Sequence, residues 1–260
     1  MMYDEITTEQ LVEYASGMAK WSFESGDNLM WYLNTLAKFP DYSLNNQLLI
    51  MGYKADATYI KGINEWKELG VRVKEDASPI LIIEPAGGGA FQIKYMYDVS
   101  DTDYTYQEQS TDKLVALEAL IAATDNIQVV DEIKSGVRAM YIPEENSIRV
   151  KRSSKVSPDV FFTSIAAESV HRNMAAETEG TYKRAGNQVT SKTVAWALGA
   201  KYNMDVSDIP LSNLPERYTG LSEKVAKKEL AKIRDGFITI NKDMVEKLEL
   251  IKNREAARER

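Results

Sequence analysis

The chain has 260 residues, 44% of them hydrophobic and 27% charged, the make-up of a folded globular protein with length enough for two cores. It has no cysteine, which excludes disulfide frameworks, thiolate metal sites and cysteine nucleophiles. A net charge of -7 argues against a uniformly basic nucleic-acid coat, so any surface for nucleic acid has to be local.

The start, MMYDEITTEQ, is acidic and polar and lacks the basic beginning and apolar centre of a secretory signal. No stretch is apolar for long enough to span a bilayer, so a cytoplasmic location without membrane attachment is the expectation. Thr7 or Thr8 can cap a first helix whose apolar positions Leu11, Tyr14, Ala15, Met18 and Trp21 recur at helical spacing, ending near Ser25-Gly26. A second helix, from about Asp27 to Lys38, stops before Pro40, and Ser43 caps a third through Leu44, Leu48 and Met51.

Beyond Gly52 the pattern turns extended: a short strand over Ala57 to Ile60, a helical turn or two over Ile63 to Leu69 and a buried strand over Ile80 to Glu84. Gly87-Gly88-Gly89 then reads as a hairpin or flexible loop leading into a partner strand over Phe91 to Val99, since no GK[ST] or GxGxxG follows that would make it a phosphate cradle. The polar, acidic stretch 101–112 has no periodicity and is the expected linker, separating a domain over 1–100 from one over 113–260.

In the second part, Leu114 to Ala123 reads as a helix, Ile127 to Ile133 as a strand, and Ala139 to Ile142 with Ser147 to Lys151 as a hairpin. Pro158 begins an amphipathic helix through Met174, a loop runs from Thr178 to Asn187, and a helix follows from Lys192 to Tyr202. The tail reads as two helical stretches, Glu223 to Ile233 and Lys242 to Arg258, broken around Asp235-Gly236, with Met244, Leu248 and Ile251 as a stripe that docks on the second domain. The fold class expected is α+β.

Two constellations carry chemistry. The first is Ala167-Glu168-Ser169-Val170-His171, which is one residue short of the HExxH of zinc peptidases. In HExxH the two histidines project from one helix face as metal ligands and the glutamate activates zinc-bound water. Here Glu168 and His171 survive at the right spacing, alanine replaces the first ligand, and the chain holds no second histidine. The expectation is a vestigial pair, hydrogen-bonded to each other or facing water, with no metal and no cofactor. The alternative is a metal-dependent protease with atypical ligands, such as Glu177 or Glu179, around Glu168 and His171.

The second constellation is a local reversal of charge. Lys54, Lys61, Lys67, Arg72 and Lys74 stand against Asp56, Glu65 and Glu68 and interleave with Tyr59 and Trp66. Single-stranded nucleic acid is held by such a mixture, cations tracking phosphates and aromatic faces stacking on bases. Tyr42, Asn45, Asn46 and Gln47 upstream offer further stacking and base-edge hydrogen bonds. The residues alone favour Tyr59 and Trp66 as core and the lysines as a solvated face.

The ordered series Asp41-Tyr42-Ser43-Leu44-Asn45-Asn46-Gln47-Leu48-Leu49-Ile50, then Lys54-Ala55-Asp56-Ala57-Thr58-Tyr59 and Trp66-Lys67-Glu68-Leu69-Gly70, resembles the N-terminal domain of the ArdC antirestriction proteins. Ile148-Arg149-Val150, Phe161-Phe162, the Ala167 to His171 motif and Thr193-Val194-Ala195-Trp196 are similar to the zincin-like domain of ArdC and LtrC-type proteins. The resemblance implies a single-stranded DNA-binding domain followed by a degenerate metallopeptidase domain, with an antirestriction or other anti-defence role. It implies single-stranded DNA and a host restriction or CRISPR nuclease as partners, or a protein-interaction module if DNA affinity is absent. It also implies that the third metal ligand would be an acid on the next helix, where this chain has Lys192.

Overall fold

The computed structural model describes residues 6–107, 110–133, 136–153, 155–179, 181–212 and 218–258. Glu108 and Gln109, within the expected linker, and Gly180, within the expected loop, lie outside the described residues. The fold is α+β, with two three-stranded sheets among the described residues, each set against helices. The chain divides into two compact units: Met1–Gln109 with Leu211–Ala231, and Ser110–Pro210 with Lys232–Arg260. Among the described residues, no helix is long and apolar enough to cross a membrane.

Unit 1 opens with α1 (Thr8–Trp21), α2 (Gly26–Lys38) and α3 (Leu44–Tyr53), whose N-caps are Thr7, Ser25 and Ser43. Each cap oxygen accepts an otherwise orphaned backbone N–H of the first turn. Strand β1 (Ile60–Gly62), helix α4 (Ile63–Glu68) and the hairpin β2 (Ile80–Gly87) and β3 (Ala90–Asp98) follow, and the sheet order is β1-β3-β2, all antiparallel. Gly87, Gly88 and Gly89 at the hairpin tip all have left-handed φ, which a side chain would strain. Phe39, Ile50, Ile60, Ile80, Ile82 and Met96 form a core between α3 and the sheet, and Trp66, Val71 and Val99 form a second.

The open edge of β2 is sealed. Asn46 on α3 donates to the Ile83 carbonyl (2.8 Å) and accepts from the Ile83 N–H (2.9 Å), and Pro85 removes a donor one alternation further along. Residues 211–231 pack in unit 1, whereas the sequence reading assigns all of 113–260 to the second domain. The reason is local packing: Tyr218 stacks on Phe23 at 5.2 Å, Lys227 donates to Ser16, and Gly26 lies so close to the Leu211 carbonyl that no Cβ would fit.

Unit 2 comprises α5 (Lys113–Ala123), strands β4 (Ile127–Val130), β5 (Ala139–Ile142) and β6 (Ser147–Lys151), and helices α6 (Pro158–Ala176) and α7 (Gln188–Lys201). β6 is central, parallel to β4 and antiparallel to β5, which leaves β5 as an edge. Phe162, Ile165, Ala166 and Val170 bury one side of α6, which packs on α5, α7 and β5. The tail is one continuous helix, α8 (Glu223–Arg258), rather than two. Gly236, the expected break, is instead the point where α8 lies on α7, a Cβ there being 3.3 Å from a Val194 methyl. Phe237, Met244, Leu248 and Ile251 are buried in line with it.

Candidate functional site

In unit 2 the Ala167 to His171 motif faces a cleft of about 460 Å³. Helix α6 supplies Ala167, Glu168 and His171, β5 supplies Ala139, and the turn before α7 supplies Arg184; Gln188, Ser191, Lys192 and Ala195 of α7 complete the wall. Among the described residues, three cations and two carboxylates line it: Arg138, Arg184 and Lys192 against Glu168 and Asp208.

Glu168 and His171 do not hydrogen-bond to each other. Glu168 is only 5% exposed, and its charge is met by a guanidinium. Arg184 donates Nη1–H to Oε2 at 2.7 Å and Nη2–H to Oε1, a two-pronged pair, while the Tyr141 N–H at the edge of β5 donates to Oε2 at 2.7 Å. This pairing raises the Arg184 pKa above its ordinary value, the hydrogen bond to Glu168 outweighing burial. Sequence reading missed Arg184. It lies in the expected loop, and the signal available was electrostatic: a carboxylate on a buried helix face needs a cation, and arginine fits both oxygens at once.

His171 is 1% exposed, and its Nδ1 lies 2.5 Å from the Tyr182 hydroxyl. Burial, and then the nearby Arg184 charge, push its pKa down to about 4 against the opposing pull of Glu168. The ring is therefore neutral at pH 7. Burial in turn raises the Tyr182 hydroxyl above its ordinary value.

The residues present do not fit a catalytic metal. Three protein ligands are normally required, and among the described residues no three His, Cys, Asp or Glu side chains converge so as to hold an ion. Arg184 covers the carboxylate that would act as base, and Lys192 lines the same cleft. A dication would meet two fixed positive charges. Glu177 and Glu179, the candidates for atypical ligands, are exposed and do not line the cleft.

In unit 1 the structure separates the sequence-selected residues into two sets. Trp66 is fully buried and donates its indole N–H to the Tyr97 carbonyl at 3.0 Å, so its ring faces protein on all sides and has no surface on which a base could stack. Gln47 is equally buried, donating to the Phe39 carbonyl and accepting from Tyr32. Asn46 is committed to Ile83, and half-buried Tyr42 packs edge-on against Phe39. Lys54 is tied to Asp101 at 2.8 Å, and Lys74 donates to the Ser100 carbonyl. These six hold the fold together.

The second set reaches the surface. Tyr59 stacks face to face on Tyr106 at 5.0 Å, with Lys61 over its ring at 5.2 Å, and its inner edge abuts Trp66. Tyr106 is 36% exposed and Tyr104 is 49% exposed. Neither was selected from the sequence, because both lie in the aperiodic stretch read as linker. Exposed Lys67 and Arg72 line a neighbouring hollow without an acidic side chain, and Asn45 lines a separate one with Val12, Ile83 and Phe91. The Arg72 N–H is held by the Asp103 carboxylate at 2.9 Å, which fastens the Tyr104–Tyr106 stretch beside the cations.

No known protein family model matches the chain, and no curated protein matches it in sequence. Among solved structures, the chain is similar to the metal-free structure of the antirestriction protein ArdC from plasmid R388, at 15% identity and a TM-score of 0.49, over 78% of this chain and 85% of that one. It is similar to the Mn(II)-bound structure of the same protein at 14% identity and a TM-score of 0.49, over 76% of this chain and 82% of that one.

Proposed function

We propose that this chain is a non-catalytic anti-defence protein of the ArdC-like antirestriction kind, which binds single-stranded DNA through unit 1 and holds a protein partner in a metal-free cleft in unit 2. The observation that carries the non-catalytic reading is the Arg184–Glu168 pair. A base already neutralised by a two-pronged guanidinium, next to Ala167 in place of a ligand, has no water-activating metal to work with. The anti-defence role rests on the sequence resemblance, and a host restriction or CRISPR nuclease is the partner it implies.

The DNA reading is supported by the Tyr59–Tyr106 stack, whose outer ring Tyr106 is exposed, with Lys61 over Tyr59 and exposed Lys67 and Arg72 in the nearby hollow. Titration with a labelled single-stranded oligonucleotide at two salt concentrations tests it. Binding is expected to weaken with salt, with a slope of roughly 0.7 per phosphate contact, and to fall on Tyr106→Ala and Arg72→Ala. Weak binding indifferent to both substitutions would remove DNA from the account and leave a protein-interaction module.

A further inference from the structure

The cleft of unit 2 has a charge pattern that the non-catalytic reading does not explain. Arg184 and Glu168 cancel, His171 is neutral at pH 7, and the charges left among the described residues are Arg138 and Lys192 against Asp208. Both remaining cations are exposed, and among the described residues neither side chain has a hydrogen-bond or ion-pair partner. The lining mixes small and aliphatic residues, Ala139, Val160, Ala167, Ala195 and Ile209, with the neutral polar Thr163, Ser164, Gln188 and Ser191. Among the described residues, no Phe, Tyr or Trp lines the cleft, and the one ring that does, His171, is 1% exposed and offers no stacking face.

That combination selects among anions. Nucleic-acid strands are held where cations accompany aromatic stacking platforms, which unit 1 has and this cleft lacks. Small, aliphatic and neutral polar walls with two unpaired cations at the rim suit a protein segment whose own side chains carry the negative charge. Ala167 and Ala195 leave room for an inserted side chain. We infer that the cleft captures, without cutting, an acidic segment of a protein partner, its aspartate or glutamate carboxylates meeting Lys192 and Arg138. This deepens the reading of the cleft as a metal-free holding site and rests on it.

The test uses the full chain and a fluorescein-labelled, glutamate-rich unstructured peptide, followed by anisotropy, with its glutamine counterpart as control. The glutamate peptide is expected to bind about tenfold or more tightly than the glutamine one, to be released by salt, and to be recovered intact by mass spectrometry. Lys192→Glu and Arg138→Glu should each abolish that preference while leaving oligonucleotide binding unchanged, and because both positions are exposed and unpartnered, the thermal midpoint should stay put. Absence of binding, equal binding of the two peptides, or indifference to both substitutions would overturn the inference. Cleavage of the peptide would instead defeat the non-catalytic reading, so the two failures are distinguishable.

Discussion

The Arg184 guanidinium grips both carboxylate oxygens of Glu168, so the one acid in the motif that could serve as a catalytic base is held as half of an ion pair. Removing either partner alone is expected to cost more than removing both. Arg184→Ala leaves a charge that is 5% exposed with one backbone N–H for company, and should destabilise the protein by about 2–3 kcal/mol, below the cost for a fully buried pair because the Arg184 side chain keeps 36% exposure. Adding Glu168→Gln should restore most of the loss. Urea denaturation of the four proteins in this cycle gives the coupling directly, and additive effects would contradict the pairing.

His171 gives the fold a pH dependence of known sign. The folded-state pKa is lowered from 6.5 to about 4, so the unfolded chain takes up a proton as pH falls through 6.5 while the folded chain resists until about 4. The stability that this ring contributes is full above pH 6.5 and is lost progressively between 6.5 and 4. His171→Gln should therefore show a smaller drop in urea midpoint between pH 7 and pH 5 than the parent, and an identical drop in both would rule out the ring as the source.

Restoring a metal centre requires removing a cation as well as adding ligands. Ala167→His with Lys192→Glu supplies donors, yet Arg184 still sits on Glu168 and near His171. The double variant should give little heat on zinc titration, and the triple variant with Arg184→Ala should bind one equivalent. Tight binding by the double variant would show that Arg184 does not keep a metal out.

The distinction between the two tyrosine and tryptophan environments of unit 1 is equally open to measurement. Trp66→Ala should cost about 3–5 kcal/mol of stability, because it empties a closed core position. Tyr106→Ala should cost clearly less, about 1 kcal/mol for the lost stack on Tyr59, and weaken single-stranded DNA binding by about 1–3 kcal/mol. The reverse assignment would put the DNA surface elsewhere.

Much of the architecture was legible because local rules decided it. Thr7 and Ser43 announce helix starts, Pro40 and Pro158 punctuate, and three glycines mark the β2–β3 tip, whereas Ser25, read as a helix end, caps α2. The failures share one cause, long-range pairing. Gly236 reads as a breaker until Val194 lies against it, and residues 211–231 read as part of the second half until Tyr218 finds Phe23. Asn46, Gln47 and Trp66 have the chemistry of nucleic-acid contacts, and only the folded chain reveals that Ile83, Phe39 and Tyr97 use it up. At the cleft, Ala167, Glu168 and His171 could be read from the motif, but the partner that neutralises Glu168 sits sixteen positions away on an aperiodic loop.

We propose that the cleft works without a metal because Ala167 leaves it short of ligands and Arg184 takes up the charge of Glu168. Calorimetric titration of the chelator-treated protein with zinc tests this most directly. The account predicts no saturable heat from the wild-type chain, whereas one tightly bound equivalent that disappears on His171→Ala would contradict it.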